Sequence, residues 1–196
     1  MNRIYHVLNE LIPADDVAAM LGGADSPWAG RPLQGEMKEV TPLLRSVNFN
    51  TAGSSTTVSL IGDDTAQTLY LAIEGDDPAE VRALGQAAEI RLPVASLDEL
   101  LREAADRYRA EPYRLIRLAL GTTAIPHPEV LALFKRADTD ANPAVRKAAI
   151  NALGLTQWVE AFDPLEDRAA NDPEPELREF AHRTLYSLRR ALGMEQ

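Results

Sequence analysis

The sequence predicts an α+β protein: a small mixed domain over residues 1–95, then a short α-α solenoid of about three helical hairpins over residues 96–196. Three observations predict it. Strand-like runs are confined to the first half. A stretch of the second half, "DTDANPAVRKAAINALG", returns in altered form as "ANDPEPELREFAHRTLY". The 196 residues are 45% hydrophobic and 26% charged, which allows a real core and carries no compositional sign of disorder.

In chain order, "NRIYHVLNELI" places Ile4, Val7, Leu8, Leu11 and Ile12 at helical spacing before Pro13, so a helix is expected. "PADDVAAMLGG" reads as a second short helix, with Asp15 or Asp16 as cap and Gly22-Gly23 as its stop. Residues 24–36 form a loop by composition, and Trp28 inside it reads as a lid over the core rather than a binding anchor. "LLRSVNFN", "TTVSLI" and "TLYLAI" are strands, separated by the turn-like "TAGSS" and "GDDTAQ". Asp77 followed by Pro78 starts a helix over "PAEVRALGQAA", and "EIRLPV" is expected as a last strand.

The second half is a repeat. Val145-Arg146 aligns with Leu177-Arg178 at an offset of 32, and the same offset joins Asp140 to Asp172, Pro143 to Pro175, Ala149 to Ala181 and Leu153 to Leu185. A period in the thirties signals a helical array. "HPEVLALFKRAD" carries Val130, Leu131, Leu133 and Phe134 at helical spacing, with Pro128 suited to a first turn. In "NPAVRKAAINALG", Pro143 suits a helix start and Gly154 a C-terminal cap, and Val145, Ala148, Ala149, Ala152 and Leu153 share one face. Such a hairpin needs a neighbour for its apolar side. Upstream, "SLDELLREAADRYR" opens with a capping box of Ser96 and Glu99, and "EPYRLIRLALG" ends at Gly121. Downstream, Trp158, Val159, Phe162 and Leu165 precede Leu177, Phe180, Ala181, Leu185 and Leu188.

"NPAVRKAAINALG" and "DPEPELREFAHRTL", each with an Asp six residues before its Arg, resemble the bacterial HEAT-like repeat family over about residues 96–192. The resemblance implies a right-handed α-α solenoid. It implies that Asp140, Arg146, Asp172 and Arg178 form a ladder along the stack, and that the second helix of each hairpin lines a concave face. The first hairpin departs from the pattern, because Tyr108 stands where the Asp belongs relative to Arg114. For the Asp and Arg residues a structural role, capping and pairing between repeats, is favoured over partner contact. By register, the exposed positions of the second helices are Arg114, Arg117, Lys147, Asn151, Glu179 and Arg183, a mixed and mildly basic groove.

Chemistry is sparse. No cysteine is present, which excludes disulfides, thiolate metal sites and a cysteine nucleophile, and makes a reducing cytoplasm the simplest compartment. Asp63-Asp64 and Asp76-Asp77 sit where turns and caps want Asp, so no metal is expected there. His6, His127 and His182 are scattered, and His182 takes the repeat position of Ile150. No phosphate loop, dinucleotide fingerprint or serine elbow occurs, so no cofactor is expected. Neither a signal peptide nor a membrane span is expected. Net charge is −10; residues 1–95 hold 6 basic and 13 acidic side chains and residues 96–196 hold 14 and 17. That acidity repels nucleic acid and anionic membrane and favours a basic partner.

The expected function is therefore non-catalytic binding of another protein, in a specific case an immunity protein that neutralises a bacterial toxin. Other readings of the resemblance are a HEAT-like enzyme, of the DNA glycosylase or bilin lyase type, and a subunit of a larger assembly. The glycosylase reading needs a strongly basic groove, which is not expected here.

Overall fold

The chain divides into two compact units, residues 1–95 and 96–196. The structure is a computed structural model and describes residues 2–24, 26–41 and 44–194. Asp25, in the expected loop, and Leu43, at the start of the first expected strand, lie outside the described residues.

The N-terminal unit is built on a five-stranded antiparallel sheet in the order β1-β5-β4-β3-β2. Its elements are β1 (Asn2–Val7), α1 (Ala14–Gly22), β2 (Leu33–Thr41), β3 (Leu44–Thr51), β4 (Thr57–Asp63), β5 (Thr68–Gly75) and α2 (Pro78–Arg91). The three expected strands form β3, β4 and β5. Alternation puts Val58, Leu60, Leu71 and Ile73 in the core, where register sets Val58 opposite Ile73 and Leu60 opposite Leu71. α2 packs on β1 and β5, and α1 packs on α2.

Four expectations are corrected in this unit. Residues 2–7 are strand, not helix: Ile4 lies opposite Ile73 and His6 opposite Leu71. The spacing of Ile4, Val7 and Leu8 satisfies a period near 3.6, but β5 has a free edge beside it and pairing outweighs a marginal local helix. "EIRLPV" is not a strand; α2 continues through Arg91 until Pro93 forces Leu92 into extended backbone, and Val94 makes only a single bridge to Leu8. The expected loop of residues 24–36 gives way at Leu33 to β2, an edge strand whose charged residues and Gly35 hide its alternation. Neither Asp15 nor Asp16 caps α1; both sit in its first turn, after Pro13.

The C-terminal unit is three helical hairpins: α3 (Leu97–Arg107) with α4 (Tyr113–Leu120), α5 (Pro128–Asp138) with α6 (Pro143–Thr156), and α7 (Phe162–Asn171) with α8 (Pro175–Ala191). The second helices stack, α4 on α6 and α6 on α8. Pro128, Pro143 and Pro175 occupy first turns, where a missing N–H costs nothing. Ser96 and Glu99 form the capping box of α3. Val145, Ala149, Ala152 and Leu153 are fully buried. Gly154 is not a cap. α6 runs on to Thr156 and closes at Gln157 in the left-handed region (φ 55°). A Cβ on Gly154 would overlap the Thr184 methyl, so glycine there lets α8 approach α6.

Candidate functional site

The repeat residues are used in the same way twice. Asp140 Oδ1 accepts from the Asn142 N–H, and Asp172 Oδ1 accepts from the Glu174 N–H, so each Asp fixes the turn before a second helix. Arg146 Nη1 donates to the Asp140 and Ala141 carbonyls, and Arg178 Nη1 donates to the Asp172 carbonyl. Each Arg thus ties its helix to its own turn. Arg146 also reaches the next repeat: Nε and Nη2 donate to the two Asp172 oxygens at 2.8 and 3.0 Å in a buried, bidentate pair. Burial raises the cost of the Asp172 charge, but Arg146 and the Glu174 N–H hold its carboxyl below the usual range. Asp140 pairs instead with Arg109 of the first hairpin, Nε to Oδ2 at 3.0 Å.

Beneath this rung lies a group that the repeat pattern does not announce. Asp138, at the end of α5, is 3% exposed. Its Oδ2 is 3.3 Å from Arg168 Nε on α7, not aligned as a hydrogen bond, and its Oδ1 meets no donor. Arg168 also pairs with Asp167 and lies 3.8 Å from Asp172. Three carboxylates (Asp138, Asp167, Asp172) therefore share two guanidiniums (Arg146, Arg168). Burial pushes Asp138 up to about 7, against the pull of Arg168 and with help from Asp167 and Asp172.

The outward positions of the second helices divide into two groups. On α6 and α8, Lys147 is exposed with its ammonium 6.0 Å from the centre of the Phe180 ring, and Asn151 is half-buried. Glu179 and Arg183 are exposed and pair with each other at 2.6 Å. On α4, Arg114 bonds Glu111 and Glu103 at 2.6 and 2.7 Å, and Arg117 lies 3.9 Å from the same Glu103. The α4 arginines thus face carboxylates of their own hairpin, whereas Lys147, Glu179 and Arg183 present charge to solvent. The α6/α8 face is polar, small and close to neutral.

Three stacked hairpins, two of them with the same Asp and Arg geometry, are the arrangement of a helical repeat. Residues 95–185 match the family model of HEAT repeats. Comparison with known proteins and with solved structures finds no match. HEAT repeats are generally protein-interaction modules, whose stacked helices offer an extended surface. Among the described residues, no helix is long and apolar enough to cross a membrane, and no group of three His, Cys, Asp or Glu is placed to hold a metal ion.

The remaining candidates have local roles. Asp63 accepts from the Thr65 and Ala66 N–H groups in the β4–β5 turn, and Asp77 caps α2 through Ala79. His182 is exposed, unlike Ile150 at its repeat position. Trp28 is fully buried and donates its indole N–H to Glu80 at 2.9 Å. Glu80 also accepts from Ser54 at 2.7 Å and Thr56 at 2.6 Å. That network, like Asp138 and the Arg109–Asp140 pair outside the HEAT register, was not foreseen. Only position marked Glu80 in the sequence: it stands in the first turn of a helix, where an acid is ordinary.

Proposed function

We propose that the protein is a non-catalytic binding module that captures another protein, and that the α6/α8 face of the HEAT segment is its contact surface. The match of residues 95–185 to HEAT repeats carries this reading. Among the described residues, Lys147, Asn151, Glu179 and Arg183 make no interaction that holds the stack beyond one ring contact and one exposed ion pair, so they are available to a partner. The Asp and Arg of the ladder are committed to turns and to each other, and belong to the scaffold. The net charge of −10 steers a partner that is basic overall, while Lys147 and Arg183 would each meet a carboxylate of that partner's contact patch, so that reversing the two cations sets like charges against each other. The specific form we favour is an immunity protein that neutralises a toxin in the cytoplasm, acting by occlusion and needing no cofactor.

Co-purification from the native host followed by mass spectrometry identifies the partner, and calorimetry then measures its affinity for the wild type and for Lys147→Glu with Arg183→Glu. The double variant is expected to bind on the order of tenfold more weakly, or worse, with its fold intact. Equal affinity would remove the α6/α8 face from the reading.

A further inference from the structure

We propose that two copies of the chain pair through the outer edges of their β2 strands, antiparallel and centred on Met37, so that the two sheets continue into one. This inference rests on the sheet of the N-terminal unit and not on the α6/α8 face. β2 ends the order β1-β5-β4-β3-β2, and among the described residues no strand lies on its outer side. The other end of the sheet is treated differently. The Ala95 N–H donates to the Val7 carbonyl and the Asn9 N–H to the Pro93 carbonyl, so the chain itself covers the C-terminal end of β1. On β2, Gln34, Gly35, Glu36 and Met37 are exposed one after another. The backbone donors and acceptors along such an edge are a template for a further strand.

An apolar side chain marks the same stretch. Met37 is 81% exposed, yet it stands on the face of the sheet that carries the core. Register sets it opposite Val47 and sets Gly35 opposite Phe49, which is part of the core, and opposed residues share a face. The core face therefore runs out to the edge and ends in an open methionine. One exposed methionine needs no explanation of its own. A second copy would lay its own Met37 directly against it, at the spacing of about 4.5–5.5 Å between Cβ atoms that opposed residues have.

The residues around Met37 select the occupant. Because opposed residues share a face, a symmetric antiparallel pair must be centred on a residue and not between two. Centring on Glu36, Lys38 or Glu39 sets that charge against its own copy. Centring on Gly35 opposes two glycines, which have no side chain to pack. Centring on Met37 sets Glu36 of each copy opposite Lys38 of the other, two pairs of opposite charge. The charges that ordinarily guard an edge then reject the other registers and admit this one. The register shift between Glu39 and Thr41 ends the regular stretch and leaves residues 35–39 as the paired run. A run this short makes a small interface, so pairing is weak, with a Kd on the order of 100 µM. The two-fold contact is closed and stops at two copies.

The test uses the full chain, with the chain itself as probe. Sedimentation equilibrium from about 1 µM to about 1 mM should show a mass that rises from one chain toward two. With methionine methyls labelled, the Met37 signal should move with concentration, while those of the buried Met20 and of Met194, exposed in the other unit, stay in place. Glu36→Lys sets Lys opposite Lys, and Lys38→Glu sets Glu opposite Glu, so each variant alone should pair about tenfold more weakly than the wild type. An equimolar mixture of the two variants restores opposite charges at both positions and should pair as well as the wild type, which also shows that neither variant has lost its fold. A constant single-chain mass across that range would overturn the proposal. So would self-association that leaves Met37 unmoved or moves Met194, single variants that pair like the wild type, or a mixture that pairs no better than its components. None of these results bears on capture of another protein at Lys147 and Arg183, so the two ideas fail separately.

Discussion

Each unit of the molecule buries a carboxylate, and the two treat it in opposite ways. In the N-terminal unit Glu80 is 14% exposed and receives an indole N–H and two hydroxyls, with the Arg31 guanidinium 3.9 Å away. Burial disfavours its charge, yet the donors from Thr56, Ser54 and Trp28 outweigh that and hold it below the usual carboxylate range. In the HEAT unit Asp138 has one poorly aligned guanidinium, shared with two other aspartates, and burial wins. Two things set the outcome: more donors are aimed at Glu80, and the Asp138 side chain, 4% exposed, lies deeper than that of Glu80, 14% exposed. Donors on three separate segments can converge on a point beside a sheet. In the stack of hairpins the two guanidiniums near Asp138, those of Arg146 and Arg168, are already shared with Asp172 and Asp167.

The largest effects should come from removing a partner and leaving a buried charge. Arg146→Ala leaves Asp172, which is fully buried, with the Glu174 N–H and with Arg168 3.8 Å away. A loss of about 3–5 kcal/mol is expected in chemical denaturation, and Arg146→Lys should recover only part of it, because an ammonium cannot bond both oxygens in plane. Glu80→Ala is the counterpart in the other unit. It orphans the Trp28 N–H and frees two hydroxyls, so a loss of about 2–4 kcal/mol is expected. The chain has two tryptophans, Trp28 in one unit and Trp158 in the other, so Trp158→Phe and Trp28→Phe backgrounds report the units separately. If both losses appear in both reporters, the units do not unfold independently and the contrast between them collapses.

The next effect has opposite signs in the two units. Asp138 has a folded-state pKa of about 7, above its ordinary 3.8, so its stabilising contribution is full below that ordinary value and is lost as pH rises through about 7. Arg168, Asp167, Asp172 and Arg146 face it; Asp172 and Asp167 are held below the usual range and affect stability only in stronger acid. In the N-terminal unit burial lowers the pKa of His6, despite Glu89 4.0 Å away, so that unit weakens as pH falls through the ordinary imidazole range; Glu80 adds to this in stronger acid. Going from pH ~8 to ~5.5, the HEAT unit should gain about 2 kcal/mol and the N-terminal unit should lose stability. Asp138→Asn should remove the gain. A HEAT unit that responds to pH identically with Asn at this position would show that Asp138 is ionised throughout the window.

The units also differ in how much of them the sequence reveals. In the second half the contacts that matter are local or recur at a fixed offset, so Val145, Ala149 and Leu153 announce their face and Pro143 its helix start. Gly154 suggests a cap because a glycine near a helix end usually is one, and only the approach of Thr184 from another helix reveals its purpose. In the first half the deciding contacts are distant in sequence. Nothing in "NRIYHV" says that β5, some 70 residues later, needs an edge partner, and nothing in "LQGEMKEVT" alternates clearly enough to mark a strand. The binding candidates follow the same rule. Lys147 and Arg183 could be placed by register, whereas the open outer edge at Met37 exists only once the sheet has set β2 at its end.

The smallest predicted effect is the one on which the functional reading leans. Lys147→Glu removes a cation 6.0 Å from the Phe180 ring centre, an exposed arrangement worth about 0.5–1 kcal/mol. Arg183→Glu removes an ion pair whose side chains are 65% and 72% exposed, which contributes a few tenths of a kcal/mol at most and is screened by salt. Together they should cost about 1 kcal/mol or less in denaturation, well under the loss from Arg146→Ala. A larger cost would mean that this face holds the stack together, and weaker partner binding by the double variant would then say nothing about contact. If the cost is as small as expected, lost binding can be assigned to the surface itself, because the ladder that carries the stack remains in place.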